Sequence, residues 1–218
     1  MSATTLDARD LFRAAYENRY TWDKNFPGYT ADVTFKNNDR TFTGQARVNG
    51  DMSTEVFNIE DEEALNQVKS QLWETAIHRV RRSFEDVHGQ NTFRYGDTDE
   101  SGAVEILMGG KSEGDRYKLR DNEVCHVHRH IHGVVVTIDT FSSHKTEDGY
   151  LSHRYDSVYH DPKTGELKAG KRYFEDNYEK VGGYYILTSR IITGEENGET
   201  VTQEFGFSNI KLLQPAMV

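Results

Sequence analysis

Cysteine is almost absent from this chain of 218 residues; Cys125 is the only one. One thiol cannot build an internal disulfide framework, so the expected setting is a reducing compartment, the cytoplasm. Prolines number three, and Pro27 ends anything helical before it. No apolar run approaches the ~20 residues that a transmembrane helix needs, which argues against an integral membrane protein. The opening stretch "MSATTLDARDLF" has neither the basic n-region nor the apolar h-region of a secretory signal. Positive charge is also short. Lys and Arg number 26 against 36 Asp and Glu, a formal net charge of −10. That balance argues against duplex nucleic acid as a partner, because counterion release rewards basic surfaces. The one dense basic run is "HRVRR" at 78–82.

Aromatic residues are what the chain does have. Twelve Tyr and eleven Phe offset a hydrophobic fraction of only 35%, since each buried ring covers a large area. Residues 6–20 read as a helix with Leu11, Phe12, Ala15 and Tyr16 as its stripe and Thr4 or Thr5 as N-cap. From Tyr29 the period becomes two. Tyr29, Ala31, Val33 and Phe35 alternate with polar residues, as do Phe42, Gly44, Ala46 and Val48, and "NGD" at 49–51 signals a hairpin to a third strand over 52–59. Over 61–88 the period is helical again. Leu65, Val68, Leu72, Ala76, Val80, Phe84 and Val87 form a stripe that Trp73 and Ile77 widen, and Gly89 stops it. This predicts one helix about 40 Å long. Beyond residue 92 the text is β throughout, with turn signals such as "GDTDESG", "GGKSEGD" and "DPKTGE".

The expected fold is one α+β domain over 1–218: a strongly curved antiparallel sheet, a half-barrel, enclosing one long amphipathic helix and capped by the N-terminal one. That order of elements resembles the periplasmic lipoprotein carriers of bacteria, whose incomplete β-barrel is closed by helices. "YHDPKTGELKAGKRYFEDNYEKVGGYYILTSRI" and the ending "EFGFSNIKL" are similar to the later strands of that fold. Through "GYLSHRYDSVYHDP" and "FEDNYEKVGGYYIL" the chain more closely resembles an uncharacterised family of about this length from cyanobacteria and chloroplasts. That resemblance covers nearly the whole chain. It implies a carrier-like fold and a photosynthetic cell, and it carries over no catalytic residue.

The most conspicuous motif is "CHVHRHIH" at 125–132. In a strand its four histidines, His126, His128, His130 and His132, share one face. H-x-H pairs can converge on a metal, with a third ligand from a neighbouring strand such as His153, His160 or Asp156. The alternative is a wet face of histidines paired with carboxylates, since Val127 and Ile131 on the opposite face suit a core. Cys125 and His126 point to opposite faces and make no nucleophile–base pair. "GGKSEGD" lacks the phosphate-loop spacing and reads as a turn. Glu175, Asp176, Glu179, Asp156 and Asp161 read as polar outward positions. Arg79, Arg81, Arg82 and His78 read as a solvated helix end.

Three functions stay open. The leading one is a non-enzymatic protein that binds a hydrophobic small molecule or a partner's apolar segment between sheet and helix. Tyr29, Val33, Phe35, Phe42, Val48, Leu72, Trp73, Ala76 and Val80 would line that space. The second is a metal-binding protein or metal-dependent enzyme built on the histidine strand. The third is an assembly factor whose acidic surface meets a protein partner.

Overall fold

The computed structural model describes residues 7–196 and 198–214. It holds three helices and twelve strands, and the strands hydrogen-bond in the order β3-β2-β1-β12-β11-β10-β9-β8-β7-β6-β5-β4. The sheet is antiparallel and open, with β3 (Thr54–Phe57) and β4 (Asn91–Thr98) as its edges. The α+β class and the antiparallel sheet are therefore as the sequence predicts. The described residues group into two compact units. One takes the chain up to Tyr20 and Arg82–Arg172; the other takes Thr21–Arg81 and the chain from Tyr173 on.

In the first unit, α1 (Ala8–Glu17) packs on the sheet through Ala8, Phe12, Ala15 and Tyr16. These meet Ile106 and Met108 on β5 (Val104–Gly110) and Tyr117 and Leu119 on β6 (Arg116–Arg120). Thr4 and Thr5, the caps expected from the sequence, lie outside the described residues. The N-cap of α1 is Asp7, whose side chain accepts from the Asp10 N–H. A carboxylate there also suits the positive end of the helix dipole.

The single long helix is corrected. The 61–88 stripe is split into α2 (Glu62–Arg79) and α3 (Phe84–His88). At 18 residues, α2 is about 27 Å long. The break has local causes. Val80 turns to extended geometry, and the Trp22 N–H takes the Arg79 carbonyl at 2.7 Å. Ser83 then caps α3 by accepting from the Asp86 N–H. The stripe runs on across the gap because each half buries it in its own unit. Leu72 and Ala76 are core in the second unit, and Phe84 joins the α1 cluster of the first.

In the second unit, β1 (Gly28–Asn37) lies between β2 (Arg40–Asn49) and β12 (Glu199–Leu212). Alternation along β1 buries Tyr29, Ala31, Val33 and Phe35 on one face. Helix α2 covers that core with Ala64, Val68, Leu72 and Ala76.

Candidate functional site

The cross-strand register of the second unit builds one transverse row. Phe42 lies opposite Phe35, Phe35 opposite Phe205, and Phe205 opposite Arg190 on β11 (Tyr184–Glu196). The rings stack, with centroids 5.8 Å apart for Phe42–Phe35 and 4.5 Å for Phe35–Phe205. The row thus runs through three aromatic rings and ends on a buried cation. The Arg190 guanidinium meets the Asp176 carboxylate of β10 (Leu167–Val181) in a two-pronged pair, Nε–Oδ1 2.8 Å and Nη2–Oδ2 2.7 Å. Their side chains are 5% and 2% exposed. Such a fork matches carboxylate geometry and holds it rigidly. Phe174 lies under the guanidinium at 5.6 Å.

The same arginine reaches helix α2. Its Nη1 donates to Gln71 Oε1 at 2.9 Å and to Glu74 Oε1 at 3.4 Å. Two further bonds follow the same side of the helix. Gln203 Nε2 donates to Gln67 Oε1 at 2.9 Å, and Arg79 Nη2 donates to the Tyr178 hydroxyl at 3.1 Å, which itself donates to Asp176. Burial pushes the Tyr178 phenol upward, so it stays protonated as that relay requires. Gln67, Gln71 and Glu74 recur at helical spacing. They form a polar flank beside the apolar stripe and, together with Arg79, clasp α2 to β10, β11 and β12. Glu62, Glu63, Asn66, Gln67 and Ser70 also line a shallow depression of about 620 Å³ along the first turns of α2.

The residues expected to line a binding space divide as follows. Tyr29, Val33, Phe35, Val48, Leu72 and Ala76 are fully buried in this core. Phe42 is half-buried at the end of the ring row, and Val80 is half-buried just past the end of α2. Trp73 does not face the sheet: it is 54% exposed. One residue on from Leu72 turns the side chain about 100°, off the stripe. The sequence reading also misplaces Asp156 and Asp176, which are buried rather than outward. A signal for the clasp was present: Asp176 takes the parity of Phe174 and Tyr178, and Arg190 takes that of the buried Ile186 and Ile192. A charge at a core position on each of two neighbouring strands marks a buried pair.

In the first unit, β7 (Glu123–Ile131) carries the histidines. Val124 and Val127 both pack toward the α1 cluster. Two residues three apart share a face because the register slips between Lys118 and Leu119, which leaves Cys125 as the extra residue of a bulge. The Cys125 thiol donates to the Lys118 carbonyl, and burial raises its pKa. His126, His128 and His130 take the opposite face. His132 does not: it has a φ of 48° and, with Gly133, forms the turn after β7. Each strand histidine has its own partner. His126 Nδ1 meets Asp139 at 2.6 Å, His128 Nδ1 meets Thr137 at 3.0 Å, and His130 Nδ1 meets Asp115 at 3.0 Å. Among the described residues no group of three or more His, Cys, Asp or Glu is placed to hold a metal ion.

A family model described as a protein of unknown function, DUF3386, matches residues 3–213. The chain belongs to that family. Its structure is similar to a LolA superfamily protein from Nitrosomonas europaea, at 9% identity and a TM-score of 0.35 over 96% of this chain and 95% of that one. It is also similar to a domain named for outer membrane lipoprotein sorting from Vibrio parahaemolyticus, at 10% identity and a TM-score of 0.43 over 97% and 94%. MucB in complex with MucA(peri) matches at 10% identity and a TM-score of 0.24 over 94% and 99%. No curated protein matches the chain.

Proposed function

We propose that the protein is a non-enzymatic binding protein that takes a hydrophobic small molecule, or the apolar segment of a protein partner, between the sheet and helix α2 of its second unit. The observation that carries this reading is the contrast between the two sides of the helix contact. The sheet offers a continuous aromatic row, Phe42–Phe35–Phe205. Much of the fastening is polar, through Gln67, Gln71 and Glu74. When α2 lifts, those groups exchange their partners for water at small net cost, whereas the exposed rings gain only from an apolar occupant. The rings pack against one another in the state described, so an occupant reaches them by displacing the helix.

The test uses 1-N-phenylnaphthylamine, which fluoresces in apolar surroundings. Titration of the intact protein should give saturable binding that a long-chain fatty acid competes away. Gln71→Ala removes the bond from Arg190 Nη1 to Gln71 of the helix, leaves both Arg190–Asp176 hydrogen bonds in place, favours the lifted state and should tighten binding several-fold. Absence of saturable binding, or a Gln71→Ala affinity equal to that of the natural sequence, overturns the reading.

A further inference from the structure

The histidine face of the first unit continues across four neighbouring strands as a grid. One row runs Lys118, His126, Asp139 and Asp156; the next runs Arg116, His128, Thr137 and Val158; the third runs His130, Val135 and His160; Asp156 and Val135 are buried within it and the histidines are its accessible part. The third row starts on β7 and ends on β9 (Gly149–His160). Two contacts extend the grid to β10. Lys171 bonds Asp156 at 2.7 Å, and the Asp161 N–H donates to the Glu166 carbonyl at the turn. Lys171 and Leu167 thus come from the strand that neighbours β9. Leu167 is 62% exposed; Lys163 lies in the turn before it, and Lys168, the next residue of the strand, pairs with Asp161 at 3.2 Å.

Charge is uneven along the sequence. Residues 115–172 hold 10 of the 26 Lys and Arg, 9 of the 36 Asp and Glu, and 7 of the 9 His. That is +1 for this segment and, by difference from −10, −11 for the rest of the chain. We propose that this histidine grid is a docking face for an anionic lipid surface, engaged as pH falls below neutrality. The occupant is chosen by the backbone and by Leu167. The strands of the grid are interior strands with both edges paired, so they offer no backbone hydrogen bonds to an extended acidic peptide. Leu167 stands exposed between Glu166 and Lys168 at the hairpin tip, and an exposed apolar side chain beside a lysine there is the kind of anchor that enters a headgroup layer.

The imidazoles have these neighbours. His126 faces Lys118 and Asp139, His128 faces Arg116 and Thr137 with His126 and His130 on either side, and His130 faces Asp115. His160 lies beside Val135. Burial, with Arg116, His130 and His126, holds the His128 pKa below its ordinary value. A negatively charged surface supplies the charge that reverses this, so docking and protonation reinforce one another.

The experiment is co-sedimentation of the full chain with phosphatidylcholine vesicles, with and without about one-third phosphatidylglycerol, at pH about 6 and about 8. Binding is expected only to the anionic vesicles and only at the lower pH. The variant His126→Asn/His128→Asn/His130→Asn should lower partitioning on the order of tenfold. Leu167→Ser, at an exposed site, should weaken it several-fold and serves as an independent arm if the triple variant folds poorly. Equal binding at both pH values, or unchanged binding by Leu167→Ser and the triple variant alike, overturns the proposal. So does displacement by inorganic phosphate, or by polyglutamate, as readily as by anionic vesicles.

Discussion

Arg190 and Asp176 face each other through two hydrogen bonds of 2.8 and 2.7 Å in the core of the second unit. Around them are the stacked phenylalanines on one side and helix α2 on the other. Desolvating two charges is costly, and the fork geometry with Gln71, Glu74 and Tyr178 offsets that cost only while both partners are present.

Removing one partner should therefore be worse than removing both. Asp176→Leu alone leaves a guanidinium buried without its carboxylate and should cost about 3–5 kcal/mol. The double variant Asp176→Leu/Arg190→Met should recover most of that loss. Urea unfolding of the two variants checks it, and a double variant less stable than the single one contradicts the account.

His88 predicts a second dependence, on pH. It is buried among Phe12, Tyr16 and Phe84, with ring centroids at 5.0, 5.0 and 5.6 Å, and its Nδ1 lies 3.1 Å from Asn91 Nδ2. Burial first, then the charges of Arg129 and Arg19, lower its pKa to about 4. The unfolded chain takes up this proton near pH 6.5 and the folded chain only near 4, so stability is complete above 6.5 and falls as pH drops toward 4. The loss across that window is on the order of 3 kcal/mol. His88→Phe should flatten the slope between those limits whatever its absolute stability. The same slope in the variant rules His88 out as the source.

The break between α2 and α3 rests on Ser83, whose hydroxyl accepts from the Asp86 N–H at 3.1 Å. Ser83→Ala should cost about 1 kcal/mol, and Ser83→Gly clearly less. Thermal unfolding of both compares them. Equal losses indicate that the hydroxyl caps nothing.

Ser83 also shows where the sequence is legible and where it is not. Strand boundaries from β4 onward follow from alternation and turn residues, which are local signals. The apolar spacing through Val80 and Phe84 is helical too, and it hides the break. Spacing reports which residues are buried, not which body they are buried in. The Ser83-x-x-Asp86 cap was the local clue. The bulge at Cys125 has no comparable signal, because the pairing register of β6 and β7 creates it. The clasp was half-visible: the parity of Asp176 and Arg190 marks each as inward, but only the pairing of β10 with β11 brings them together.

The two tryptophans separate the two sides of the second unit. Trp22 is 2% exposed and stacks on Phe26 at 3.9 Å, close to Tyr29 at the edge of the apolar core, whereas Trp73 lies on the outer side of α2. A Trp73→Phe protein should emit at short wavelength and resist acrylamide, and a Trp22→Phe protein should emit near the wavelength of free indole and be readily quenched. If the apolar probe enters beneath α2, lifting the helix loosens the wall around Trp22 and leaves Trp73 in water. Acrylamide quenching of the Trp73→Phe protein should then rise on loading with probe, while that of the Trp22→Phe protein stays the same. A change confined to Trp73 places the probe on the outer face of the helix instead and removes the case for a site beneath it.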